Sequence, residues 1–221
     1  MRYRTHMSAS SLQAGFQAST PTLAGPGVTL RPLTLADAPA LFAITPPDTF
    51  TYFLSEPRAW TLDAFTTWLR DYLLGPAHMS FAVIDNRTSA LVGSTSFLDI
   101  LPQHRHAEIG ITWYAHNARG THINPASKYL LLDYAFTRMF DNRGALRITL
   151  KCNAKNEHSK RAILKLGATY EGTLRNHRVK ELADGTGQVR DTAYFSILPS
   201  EWPTISPKLL ARTHAALGTA S

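Results

Sequence analysis

Cysteine is nearly absent: Cys152 is the one thiol in 221 residues, which excludes an internal disulfide and suits a reducing compartment. A lone cysteine is more often a buried structural residue than a catalytic thiol. Long apolar runs are missing as well, and no stretch approaches the roughly eighteen consecutive apolar residues that a membrane span requires. The segment MRYRTHMSASSLQAGF carries Arg2 and Arg4 without the apolar centre of a secretory signal. The expectation is a cytoplasmic protein with no membrane partner. Neither Gly-x-Gly-x-x-Gly nor Gly-Lys-Ser/Thr occurs, which removes most of the support for hydride transfer and for nucleotide hydrolysis. His104, His106, His116 and His122 stand at no metal-ligand spacing and near no cysteine, so no metal site is expected.

What is present is the composition of an ordinary folded protein. Hydrophobic residues at 44% and charged residues at 18% exclude disorder over most of the length, and the length suits one domain with one substantial core. The formal charge of +7 is concentrated: between Arg143 and Lys180 ten cations meet two anions, Glu157 and Glu171, while the remainder nets −1. Such a field favours a polyanionic partner, whether nucleic acid, an acidic surface or a phosphorylated cofactor; the alternative is a solvated basic face.

Residues 1–26 are rich in Ser, Thr, Ala, Gln, Pro and Gly and are expected to form a flexible extension, with the folded domain over 27–202. VTLRPL, from Val28, alternates as a strand that Pro32 confines to an edge or a strand end. TLADAPALFAI reads as a short helix capped by Thr34 or Asp37. TLDAFTTWLRDYLL reads as a second, N-capped by Thr61, with Leu62, Phe65, Leu69 and Tyr72 on one stripe. From Met79 the period becomes that of strands: SFAVID, a polar turn over 86–89, LVGSTSFLDI and HAEIGITWY, most simply antiparallel. AHNARGTHINPASKYLLLDYAFTRMF is a loop feeding a helix that is apolar almost all round and must be covered on most sides. ALRITLKC, NEHSKRAILKLG, ATYEGTLRNHRV and QVRDTAYFSIL read as strand, helix stopped by Gly167, strand and strand. A crossover on each side of ALRITLKC gives a mixed α/β sheet with helices on both faces. Residues 203–221 are expected as a tail that can dock as a terminal helix.

Chemistry concentrates at two strand-to-helix junctions. At the first, Asn117 to Asn124, free N–H groups at a helix start and the positive end of its dipole form a site for phosphate oxygens. Gly120 permits close approach of backbone and ligand there, and Arg119 adds charge. At the second, Asn153 or Asn156 can cap a helix whose first turn holds Ser159. Each alone is an ordinary feature of α/β proteins. Two helix starts at the carboxyl ends of adjacent parallel strands would open on one crevice, where ligands of α/β sheets bind.

With VTLRPLTLADAPALF, EIGITWY followed by ARGTHINPASKYLLLDYAF, and NEHSKRAILKLGATYEGTLRNH together, the sequence resembles the GNAT superfamily of N-acetyltransferases, in its RimJ/RimL-like, ribosomal-protein branch. The likeness runs from about Val28 to Trp202. It implies the acyl-CoA N-acyltransferase fold, a mixed, mostly antiparallel sheet with helices on both faces, together with acetyl-CoA as co-substrate, an amine acceptor and a homodimer. The family's pyrophosphate motif, Gln/Arg-x-x-Gly-x-Gly/Ala, reads here Asn117-x-x-Gly120-x-His122, with only the central glycine kept. Either the His122 side chain points away from the phosphates or the cofactor sits differently. Carried over to the cofactor are Arg119, Gly120, Thr121, Ile123 and Asn124 in the loop, and Asn156 on the pantetheine arm. Thr112, Trp113 and Tyr114 form the strand segment whose N–H polarises the thioester carbonyl. Many members place a tyrosine seven residues after the asparagine; here that position is Ile163, which cannot donate a proton. The branch implies instead the serine three residues on, Ser159, as acid for the departing thiolate.

The resemblance implies direct attack of an amine on acetyl-CoA in a ternary complex, with no metal and no covalent intermediate. Deprotonating an α-amine at pH 7 costs only about 1.4 kcal/mol, against roughly 4.6 kcal/mol for a lysine, so an α-amine needs little help. The base candidates are Glu171, which matches the family's Leu/Tyr-Glu-Gly carboxylate, and Glu108, whose neighbours Gly110 and Thr112 are expected on its strand face. Either carboxylate can instead be ion-paired, and a water chain without a dedicated base stays open. Phe50, Tyr52, Phe53 and Trp60, between the first two helices, are candidates for the acceptor cleft or for core. The expectation is an acetyl-CoA-dependent N-acetyltransferase acting on a protein N-terminal α-amine or a small-molecule amine such as an antibiotic, polyamine or amino acid. Nucleic acid would be met only by way of a ribosomal substrate. The rival reading is a basic RNA-binding module on a catalytically inactive version of the fold.

Overall fold

The structure is a computed structural model that describes residues 16–182 and 186–218. The period-2 segments form one eight-stranded sheet: β1 (Leu23–Gly25), β2 (Val28–Pro32), β3 (Met79–Asp85), β4 (Ala90–Leu101), β5 (His106–Tyr114), β6 (Arg147–Asn153), β7 (Thr169–Glu181) and β8 (Gly187–Ile197). Their spatial order is β1-β2-β3-β4-β5-β6-β8-β7. Every neighbouring pair is antiparallel except β5 with β6. The five longer helices are α1 (Ala38–Ile44), α2 (Leu62–Trp68), α3 (Ile123–Thr137), α4 (Glu157–Leu164) and α5 (Trp202–Gly218). None is long and apolar enough to cross a membrane.

Apolar periodicity divides these helices between the two faces of the sheet. On one face Leu41 of α1 and Phe65 and Trp68 of α2 pack with Phe50, Ala82 and Trp113. On the other, Ile123, Leu130 and Leu131 of α3, Ile163 of α4 and Leu209 of α5 pack with Ile109, Ile148 and Phe195. Helix α3 is covered nearly all round, as an apolar helix must be, with α5 on one flank. The sheet is thus mixed and mostly antiparallel with helices on both faces, as the sequence implies.

Two local expectations change. Ordered structure begins ahead of Val28: Leu23–Gly25 pair with Leu30–Val28, Leu23 is buried, and Gln17 bonds Leu33 O and Ser80 N through its side chain. Residues 1–15 of the expected extension lie outside the described residues. The stripe of α2 also shifts. After Trp68 the helix widens into a π turn over Leu69–Leu73, whose extra residue buries Leu73 with Phe65 and Leu69 and leaves Tyr72 facing a cavity.

The single parallel pair positions the functional site. Strands β5 and β6 are in register only over His106–Glu108 against Arg147–Thr149. Beyond Glu108 they diverge, so on that side the β5 backbone from Gly110 to Tyr114 has no strand partner among the described residues. On its other side β5 carries a bulge between the Ser94–Trp113 and Ser96–Gly110 pairs, and Ile111 adopts φ 45, a strained value for a β-branched residue. The bulge inverts the alternation. Glu108 and Gly110 share one face, but Thr112 turns to the α3 face, where it bonds Lys128, so the expectation that Thr112 lies beside Glu108 is not met.

Candidate active site

The divergence of β5 and β6 opens a cavity of about 900 Å³, bounded by the starts of α3 and α4 on one side and by the α1–α2 loop and the β7–β8 hairpin on the other. At the α3 start, Gly120 adopts φ 76 and a Cβ added there would meet nothing within 4 Å, so backbone and ligand can approach closely. Thr121 Oγ1 donates to Ala118 O and accepts from Ile123 N–H, which fixes the turn. The His122 side chain is buried and points out of the cavity, with Nε2 3.1 Å from Gly27 O and 3.4 Å from Asp85 Oδ1. In the Asn117-x-x-Gly120-x-His122 motif the imidazole therefore lies outside the cavity and ties α3 to the β1–β2 turn. Arg119, whose Nε donates to Tyr114 O, lines the cavity with Arg161, Lys165 and Arg212. These residues suit phosphate groups in charge and in backbone geometry.

Helix α4 begins where the cavity narrows. Asn156 is its N-cap, Oδ1 accepting from Ser159 N–H at 3.0 Å, which leaves both hydrogens of its carboxamide NH2 for a ligand. Asn153 caps the preceding turn by accepting from Lys155 N–H. Ser159 is half-buried and lines the cavity beside Cys152, whose thiol burial pushes upward, against a hydrogen bond with Ser159. A thiol held protonated is a poor nucleophile.

On the α1/α2 face, Glu108 is 4% exposed and ion-paired through Oε2 with Lys151. The Lys151 ammonium also bonds Asp99 Oδ2 at 2.9 Å and lies over the Tyr194 ring. Burial is the main reason the Glu108 carboxyl is raised to about 7, and Asp99 adds to the rise while Lys151 opposes it. Tyr72 and His78 stand at the same wall; burial keeps the His78 imidazole below its ordinary value.

Of the expected cofactor residues, Thr112, Trp113, Tyr114, Arg119, Gly120, Thr121, Asn124 and Asn156 line this cavity. Ile123 does not; it is core, 1% exposed. Ser159 and Glu108 open on the cavity and Glu171 does not. Glu171 forms a bidentate pair with Arg147 and accepts from Ser196 Oγ, and chiefly the Arg147 bond holds it down at about 2. These contacts tie β7 to β6 and β8. Tyr52 and Phe53 line the cavity on its α1–α2 loop side, whereas Phe50 is core and Trp60 packs on Phe42 and Phe65.

Sequence reasoning passed over Lys151, Asp99, Arg190 and Arg212, which come from separate elements and carry no local motif. It also passed over Lys128, although a lone lysine inside an apolar helix is a signal. The basic run from Arg143 to Lys180 is only in part a free field. Arg147, Lys151, Lys160 and Lys180 are ion-paired with Glu171, Glu108, Glu157 and Glu56, while Arg161, Lys165 and Arg178 line the cavity.

Residues 28–169 match the family described as acetyltransferase (GNAT) domain. A comparison with curated proteins gives no match. Among solved structures, a T. thermophilus protein described as an acetyltransferase is 33% identical over 86% of this chain and 96% of its own, with a TM-score of 0.76. A GCN5-related N-acetyltransferase from Brucella melitensis is 29% identical over 88% of this chain and 86% of its own, TM-score 0.77. Mycobacterium smegmatis RimJ, in complex with CoA-disulfide, is 22% identical over 86% of this chain and 92% of its own, TM-score 0.66, a likeness of fold. With the family matched across most of the chain and its cleft formed between the one pair of parallel neighbours, this protein belongs to the GNAT acetyltransferases.

Proposed function

We propose that the protein transfers an acetyl group from acetyl-CoA to a primary amine, a protein N-terminal α-amine or a small-molecule amine, held with the donor in one complex. One observation carries this: the gap past the Glu108–Thr149 pair joins, in a single cavity, a basic helix start at Arg119 to Asn124 and a buried carboxyl at Glu108. Acetyl-CoA supplies its acetyl group as a thioester, the amine nitrogen bonding to the acetyl carbon as the carbon–sulfur bond breaks to give an amide and a free thiol. In this reading the Gly120 turn, with Arg119, Arg161, Lys165 and Arg212, holds the phosphates. The unpartnered side of β5 between Gly110 and Tyr114 offers backbone groups to the arm and an N–H to the oxygen that gains charge. Glu108, raised to about 7, accepts the amine proton near neutral pH. Ser159 donates a proton at the departing sulfur, next to a thiol that burial keeps protonated. The RimJ/RimL-like assignment rests on the motifs that surround Gly120 and Asn156 and is kept as a proposal.

The reading is tested by a thermal shift with acetyl-CoA alone. A ligand bound only by the folded form raises the melting temperature, and a rise of several degrees at saturation, followed by acetylation of an amine panel, is the expected result. No shift with any acyl-CoA would sink the proposal.

A further inference from the structure

The acceptor half of the cavity contains a pair of cations that the reaction does not require. Arg178 on β7 and Arg190 on β8 are direct cross-strand partners, on the face that also carries Tyr194 and the Lys151 ammonium. Like charges placed opposite each other across a ladder are unfavourable, and among the described residues neither guanidinium has a carboxylate within ion-pair distance. Asp99 and Glu108, which line the same cavity, are held by Lys151, and Asp48 lies in the exposed part of the wall. Arg190 donates once, from Nη1 to Tyr52 O at 3.0 Å, and its Nε is buried with no hydrogen-bond partner. Burial works against its charge, as the lowering of its pKa records. A guanidinium has five donors in a fixed fork that matches a carboxylate in two contacts, so a half-buried arginine with its Nε buried and most donors unused, beside a second arginine, is half of a recognition site. The same side chain closes the wall. Arg190 to Tyr52 O, with Lys180 to Phe50 O and Glu56, straps the α1–α2 loop to the β7–β8 hairpin, and a strapped wall suits a small acceptor better than a polypeptide.

We propose that Arg190 and Arg178 form a carboxylate subsite, and that the acceptor is a small amine bearing a carboxylate, an amino acid, rather than a neutral amine or a polyamine. The assignment rests on the acetyl-transfer reading above. In it Glu108 faces the amine and the arginine pair faces the carboxylate; a second ammonium, as in a diamine, would meet two guanidinium groups and be rejected.

The experiment compares acetyl transfer to amino acids, to their carboxamides and to putrescine, in the wild-type protein and in Arg190→Gln and Arg178→Gln, with an acetyl-CoA thermal shift on each protein. Expected is a kcat/KM at least tenfold higher for an amino acid than for its carboxamide, with putrescine lowest. In Arg190→Gln that ratio falls toward one through KM, and in the exposed Arg178→Gln it falls by a smaller factor with folding unaffected. Carboxamides or putrescine acetylated as well as the amino acids, or a ratio unchanged in both variants, overturns the subsite while a normal acetyl-CoA shift leaves the parent reading standing. Absence of both the shift and any acetylation overturns the parent reading, and the subsite with it.

Discussion

Lys128 Nζ, buried between α3 and the β5 bulge, lies 2.7 Å from the half-buried Thr112 Oγ1 and 3.1 Å from the buried Thr95 Oγ1, and among the described residues it has no carboxylate within ion-pair distance. The two hydroxyls also bond each other at 2.7 Å. Burial drives the Lys128 amine down to about 7, so the folded state holds its proton less tightly than the unfolded chain does. The resulting loss of stability is complete below about pH 7 and is relieved as pH rises toward 10.5. Lys128→Met, which keeps the length and leaves the threonines bonded to each other, is expected to raise the melting temperature at pH 6 and to remove the rise in stability between pH 7 and 10. Urea denaturation at a series of pH values checks this. A destabilised Met variant would show that the ammonium has a compensating partner.

Among the described residues, Glu108 is the one carboxyl lining the cavity whose proton affinity is raised into the neutral range. Glu108→Gln is expected to lower kcat/KM by about 10²- to 10⁴-fold, the usual worth of a positioned base. It is also expected to abolish the limb of the kcat/KM profile that rises with an apparent pKa near 7. For stability the sign is opposite. The folded state binds this proton more tightly than the unfolded chain, so ionisation between about pH 4.5 and 7 costs stability, and the Gln variant is spared that loss. A wild-type pH profile retained in the variant would assign the base to solvent.

Glu171, the other carboxylate that the family pattern favours, has a structural occupation. Its pKa is held down at about 2, mainly by the Arg147 bond, so what it adds to stability is present above about pH 4.5 and is lost as pH falls toward 2. Both side chains are about one-third exposed, which limits the pair to about 1 kcal/mol or less. Glu171→Gln is expected to lower the melting temperature slightly at pH 7, not at pH 2, and to keep its turnover. A loss of turnover at unchanged stability would return Glu171 to the chemistry.

These residues show which parts of the molecule are legible in the chain. Seven of the eight strands, β2 to β8, the five helices and the two helix starts follow from apolar period and capping, which are local properties: Thr61 caps α2 and Asn156 caps α4 as their side chains allow. The face of Thr112 was not legible, because alternation holds only until a bulge intervenes, and the strained φ at Ile111 leaves no mark in composition. The pairing of Glu171 was hidden for a different reason. Its partner Arg147 stands twenty-four residues away on a strand that is not its neighbour in the sheet, and the sequence alone does not say which of two carboxylates meets an arginine. The cavity wall opposite α3 and α4 is assembled from the α1–α2 loop and the far hairpin, so Tyr52 and Arg190 meet only in the fold.

The α4 start separates binding from chemistry. Ser159 contributes its backbone N–H to the Asn156 cap and its hydroxyl to the cavity beside Cys152. Substitution by alanine therefore keeps the cap and removes only the hydroxyl. Ser159→Ala is expected to reduce kcat while the acetyl-CoA thermal shift stays as in the wild type. Asn156→Ala removes the cap, so it is expected to cost about 1 kcal/mol of stability and to weaken acetyl-CoA binding as well, because the first turn of α4 is no longer fixed against the arm. Solvent isotope effects on kcat sharpen the comparison: a proton transferred from Ser159 to sulfur in the slow step gives an effect that the alanine variant changes. If Ser159→Ala turns over at the wild-type rate, the departing thiolate takes its proton from water, and Ser159 is left with the packing of α4 against β6.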